Sequence, residues 1–274
     1  MKKIVISTML LSSLVLGTTL TANAENFEGK TKGDIQLKDG KGSEGGPDDP
    51  GDKTDPVDPE VPEEIDPPED GGDKTEGALK FAYVPNLKFG DNNMIQAKGN
   101  AHYYARYTNV VIKETQQKEK RASFFQVDDV RGGAKGWKVS LANNGIFETP
   151  DKKYSMKANL YINDMTIRTN SGIAEKPTVK NDLVGTELSK YTKISTSDNS
   201  GVEIVTAVPG TGFGSWSVRI GSTGNPINQE VNNGSKQKEV EERNPAVMLE
   251  VLPGMKVTDS VYSTDLIWNL SDTI

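Results

Sequence analysis

Few side chains in this sequence are suited to chemistry. The 274 residues include one histidine, His102, and no cysteine. A single histidine excludes multi-histidine metal sites, and the lack of cysteine excludes thiolate catalysis, disulfides and Cys-based zinc sites. His102 lies in the tyrosine-rich run "HYYARY", where it reads as a polar strand residue rather than the base of a Ser-His-Asp arrangement. The stretch "VDDVRGGAKGW" offers Asp128, Asp129 and Arg131. They could form an acid pair with a positioning arginine, but a structural Asp–Arg pair at a strand end is the expected reading. Gly132 to Gly136 carries glycines and Lys135 but lacks the spacing and the Ser/Thr of a phosphate loop, so it reads as an inter-strand loop. The expectation is a protein without catalytic residues, metal or cofactor: a binding protein and not an enzyme.

The aromatic residues have two readings. In "VPGTGFGSWSVRIG" (Val208 to Gly221), Phe213 and Trp216 could be platforms in a binding loop for a sugar or peptide face. Alternatively Trp216 opens a strand that turns Val218 and Ile220 inward with it, and the glycines only bend the chain. All three tryptophans open such alternating triplets, Trp137 with Val139, Trp216 with Val218 and Trp268 with Leu270. Truncating a buried tryptophan costs about 3–5 kcal/mol, so core packing alone is enough to explain them.

The elements around these residues read as β. Short runs such as "ALKFAYV", "SFFQVDDV", "GWKVSLA", "NLYINDMTI", "GVEIVTAV", "SWSVRIG", "AVMLEVL" and "DLIWNL" are rich in β-branched and aromatic residues and separated by Gly, Asn, Asp and Pro. Alternation puts Trp137, Val139 and Leu141 on one strand face, and Leu266, Trp268 and Leu270 on another. The fold class expected is all-β, a β-sandwich-like domain. "KQKEVEERN" is helix-capable but short, with almost no apolar face.

Charge divides the chain. Residues 1–24 have a basic start (Lys2, Lys3), an apolar run from Ile4 to Leu16 and the ending Ala22-Asn23-Ala24, the layout of a signal peptide cut before Glu25. Residues 25–43 form a polar segment. Residues 44–76 contain fourteen acidic residues, two lysines and seven of the fourteen prolines, a net charge of −12. Such a segment is expected to be an extended, disordered loop or linker. The remaining β domain, residues 77–274, then carries +3, although the whole chain is at −7. No other stretch approaches the roughly 20 apolar residues of a membrane span, so the mature chain is expected to be secreted without an integral membrane segment.

Four blocks carry a family resemblance. "FAYVPNLKFG", "VDDVRGGAKGWKVSL", "AVPGTGFGSW" and the terminal "VYSTDLIWNLSDTI", in that order, resemble the WxL domain of Gram-positive surface proteins. The closing signature is Tyr262 followed six residues later by Trp268-Asn269-Leu270; the first Trp-x-Leu stands here as Trp137-Lys138-Val139, with valine for leucine. The resemblance implies an excursion within the domain around "PVDPEVP", after a first strand at "GDIQLKDG" in which Ile35 and Leu37 alternate. It also implies a protein held noncovalently on the cell wall by a domain that binds peptidoglycan or associated wall polymers, in company with other exported surface proteins. Nucleic acid is not an expected partner. On this reading Trp137, Val139, Tyr262, Trp268 and Leu270 are motif residues that are either structural or wall-binding. The alternative is a protein–protein module of a surface complex that touches no glycan.

Overall fold

In a computed structural model the described residues are 26–34, 58, 64–96, 99–131, 134–143, 145–169, 175–180, 188–194, 201–232, 239–254 and 256–272. The expected signal peptide, Ile35, Leu37 and most of the acidic segment lie outside them.

The described chain is all-β apart from one three-residue turn of 3-10 helix at Leu188–Lys190. The largest sheet has twelve strands. They are β1 (Asn26–Asp34), β3 (Leu87–Lys88), β4 (Ala101–Ala105), β8 (Trp137–Asn143), β9 (Ile146–Glu148), β10 (Ser155–Ile162), β12 (Thr178–Val179), β13 (Thr192–Lys193), β14 (Val202–Ala207), β16 (Ile227–Val231), β17 (Glu239–Val251) and β18 (Ser263–Ser271). A four-stranded sheet contains β2 (Leu79–Tyr83), β7 (Phe124–Asp129), β11 (Met165–Arg168) and β15 (Gly214–Ile220), in the order β11-β15-β7-β2. β5 (Thr108–Val111) and β6 (Lys118–Arg121) form a separate hairpin.

The two larger sheets share one core. Phe81, Phe125, Trp216 and Val218 from the small sheet meet Val139, Leu160, Leu249 and Trp268 from the large one in a single apolar cluster. Ring centroids of Trp268 lie 5.1 Å from Phe125 and 6.5 Å from Phe81, across the interface. Alternation produces this arrangement: β18 buries Leu266, Trp268 and Leu270 and leaves Asp265 exposed, while β8 buries Trp137, Val139 and Leu141 and leaves Lys138 and Ser140 half-buried.

The closing strand is interior to its sheet. β18 pairs antiparallel with β1 along its full length, from Asn26↔Ser271 to Asp34↔Ser263, and with β8 from Leu266↔Asn143 to Ser271↔Lys138. The two ends of the described chain are therefore zipped together. The first strand is described up to Asp34 and so takes in the start of "GDIQLKDG", whose Ile35 and Leu37 lie outside the described residues. It is specified by its partner more than by its own pattern, because "NFEGKTKGD" has almost no apolar alternation.

The run "KQKEVEERN", without an apolar helical face, enters β17 at Glu239, where residues 239–243 pair with β16 and tertiary pairing overrides weak helix propensity. The acidic segment, expected to be a loop or linker and on the family resemblance an excursion within the domain, is packed on the domain at its described residues, 58 and 64–76. Ile65 is fully buried with Tyr83, Val110, Ile112 and Phe124 in a second cluster under the β5–β6 hairpin. Asp58 is fully buried and receives Arg121 Nε at 2.9 and 2.8 Å on its two oxygens. Asp70 accepts hydrogen bonds from the Tyr83 hydroxyl and from Gly72 N.

Candidate functional site

Each member of the tryptophan motifs is inside the protein. Trp137, Val139, Trp216, Trp268 and Leu270 are completely buried, and Tyr262 is buried. Their indole nitrogens are satisfied internally: Trp268 Nε1 donates to Thr31 Oγ1 at 2.5 Å, Trp137 Nε1 to Gly212 O at 2.8 Å and Trp216 Nε1 to Phe213 O at 3.0 Å. Buried indoles need such partners. The two motifs also meet directly, with Leu270 opposite Val139 and Trp268 opposite Leu141 in the β18–β8 register.

Trp216 is thereby removed as a surface platform, because its ring belongs to the shared core. Phe213 differs. It is 39% exposed at the end of the small sheet, with Val130 and Val208 also exposed. The loop carrying it is tied down by Gly210 N donating to Ala134 O and Gly212 N donating to Glu175 O. Gly212 is required there: its φ is +77°, and an added Cβ would stand 2.4 Å from Ala207 Cβ and 2.7 Å from Trp137 Nε1.

The polar candidates are accounted for by neighbours. Asp129 is buried and receives Arg131 Nε at 2.9 Å and Nη2 at 3.0 Å, and Arg131 also donates to Gly136 O and ion-pairs with Asp272 at 3.3 Å. Asp128 points elsewhere and accepts from Gln126 Nε2 at 2.8 Å. The three residues brace the β7 end and its loop. His102 faces Glu250, with Nε2 3.6 Å from Oε1. Glu250 is buried and also accepts from Asn100, Asn159 and Tyr161, so β4, β10 and β17 are stitched together at one carboxylate. Burial works against the ionised form, but these donors and His102 hold the carboxyl below its ordinary range.

A concave feature lies elsewhere. A cleft of about 640 Å³ runs between the segment around Asp91–Gln96 and the loop from Leu252 to Tyr262. Met94 and Ile95 are exposed on it, at 46% and 55%. Tyr262 supports its far wall, because its hydroxyl accepts from Thr258 N at 2.8 Å. On the near wall Asp91 Oδ2 takes Arg106 Nη1 at 2.9 Å. Arg106 in turn donates to Glu241, which ion-pairs at 2.7 Å with the wholly buried Arg243. Burial pushes the Arg243 guanidinium down to about 10. Nothing in the sequence pattern marks this cleft, because its exposed apolar pair sits in an irregular segment.

The aromatic motifs are thus interior to an all-β domain that opens to solvent at this cleft. A family model for the WxL domain, described as surface cell wall-binding, matches residues 24–273, and the chain belongs to that family. No curated protein and no solved structure matches the chain. Among the described residues, no helix is long and apolar enough to cross a membrane.

Proposed function

We propose that this protein is exported, is held noncovalently on the Gram-positive cell surface, and binds peptidoglycan through the WxL domain itself. The observation that carries the reading is the span of the wall-binding family match, residues 24–273, over the whole described fold. The folded domain is thus the natural place for the wall contact, and its role is attachment rather than catalysis. The buried motifs support an indirect part for Trp137, Val139, Tyr262, Trp268 and Leu270: they hold the two sheets and the closing strand in place, and the wall is met by other residues. The charge of +3 on residues 77–274 adds attraction for anionic wall polymers, screened within about 8–10 Å at physiological salt.

A second reading is favoured by the sheet edge. β16 ends the path of the large sheet, bridged by Asn93 at its Val231 end, and Val240 on neighbouring β17 is 58% exposed, an arrangement suited to strand addition by another exported protein. Co-sedimentation of residues 25–274 with protein-free peptidoglycan, with and without teichoic acid and across a salt series, separates the two. Sedimentation with bare peptidoglycan is expected. Recovery only when surface proteins are left on the wall would transfer the contact to a protein partner.

A further inference from the structure

We propose that the cleft beside Tyr262 binds a short peptide with small alkyl side chains and a free amine, the chemistry of the peptide portion of peptidoglycan; this rests on the wall-binding reading. The volume, about 640 Å³, lies within the roughly 300–1,000 Å³ of small-ligand sites.

The lining decides which part of the polymer fits. Sugar rings are usually held against an open aromatic face. Among the residues around this cleft the aromatics are Tyr103 and Tyr262, and both are buried, at 8% and 3% exposure. Their hydroxyls are also engaged, Tyr103 donating to Met94 O at 2.9 Å and Tyr262 accepting from Thr258 N. The cleft therefore offers a pyranose no stacking surface. It offers alkyl contact instead, from the exposed side chains of Met94 and Ile95 and from Val257.

An unpaired carboxylate oxygen points to an amine, because N–H donors that carry charge make the stronger bonds to carboxylates. Among the described residues the charged side chains around the cleft are Asp91, Asp259 and Lys256. Among the described residues Asp91 Oδ1 is buried without a hydrogen-bond partner, although Oδ2 is held by Arg106. A buried acceptor left unpaired is costly, and an ammonium or amide N–H delivered by a ligand would relieve that cost. Arg106 and the Glu241–Arg243 pair behind it fix the Asp91 carboxylate in place before any ligand arrives.

The test is a calorimetric titration of the protein with stem peptides released from protein-free peptidoglycan by an amidase, beside a titration with the peptide-free glycan strands. The peptides are expected to bind and the strands not to bind. Acetylating the peptide amines should weaken binding about tenfold, the loss of one charge-assisted contact. Ile95→Ser should weaken it at least about fivefold, with an unchanged melting temperature because the residue is exposed. Asp91→Asn should remove the discrimination between free and acetylated peptides. If whole peptidoglycan sediments with the protein while free peptides do not bind, or if peptide binding survives Ile95→Ser and Asp91→Asn unchanged, the cleft assignment is overturned and the wall-binding reading stands. If peptides bind but whole peptidoglycan does not, the cleft assignment stands and wall attachment falls. If neither binds, both fall.

Discussion

Tyr262 stands at the border of two unlike regions. From Thr264 to Leu270 every second side chain of the closing strand enters a core that admits no solvent. On the other side of Tyr262, the described residues between 251 and 260 form one wall of an open cleft whose other wall carries exposed Met94 and Ile95 and the unpaired Asp91 Oδ1. The contrast separates what marks the family from what can touch a ligand. The signature is recognisable because period-two packing between two sheets constrains it tightly, whereas a recognition surface can be built from an irregular loop with no such constraint.

The sharpest way to break the comparison is to hollow out the closed side. Trp268→Ala should cost about 3–5 kcal/mol, from lost burial and the cavity left between Phe81 and Phe125, read by denaturant unfolding. A loss below about 1 kcal/mol would mean that Trp268 is not a core residue.

A somewhat smaller effect is expected where the acidic segment meets the domain. Burial raises the Asp70 carboxyl from 3.8 to about 6, against the opposing pull of its Tyr83 and Gly72 hydrogen bonds. The folded chain thus holds this proton more tightly than the unfolded one. Its stabilising contribution is fully present below about pH 4 and is lost as the pH rises through about 6. Asp70→Asn keeps an acceptor for Tyr83 and removes the charge. Relative to wild type it should gain on the order of 2–3 kcal/mol between pH 4 and pH 7, measured by unfolding at both pH values. An unchanging difference between the two proteins would contradict the burial of that carboxylate.

Gly212→Ala tests the support beneath Trp137 and should cost about 2 kcal/mol, from a left-handed backbone and a Cβ with no room. Retention of wild-type stability would show that the Phe213 loop can move away from Trp137. The smallest expected effect on stability is that of Ile95→Ser on the open side, within about 0.5 kcal/mol, although it should impair peptide binding. A large destabilisation there would show that the cleft wall is structural.

The sequence made the closed side readable and the open side nearly invisible. The inward triplets of β8, β15 and β18 follow directly from alternation, because each strand carries its own buried face. β1 lacked that mark, since its pairing with β18 is made by backbone groups that residue type barely reports. The acidic segment was legible only in part, for another reason. Its average composition predicts extension, while Asp58, Ile65 and Asp70 are anchored individually by Arg121, Ile112 and Tyr83 from distant parts of the chain. The cleft was unreadable because Asp91, Met94 and Ile95 meet the 251–262 loop only in three dimensions.

The most direct measurement is peptidoglycan sedimentation of Trp268→Phe, made well below its melting temperature, with that melting temperature recorded alongside. This variant keeps an aromatic ring and loses the hydrogen bond to Thr31. A motif that acts through packing predicts a lowered melting temperature and wild-type sedimentation of the folded variant. A wild-type melting temperature with lost sedimentation would make Trp268 a contact residue and contradict the separation of signature from surface.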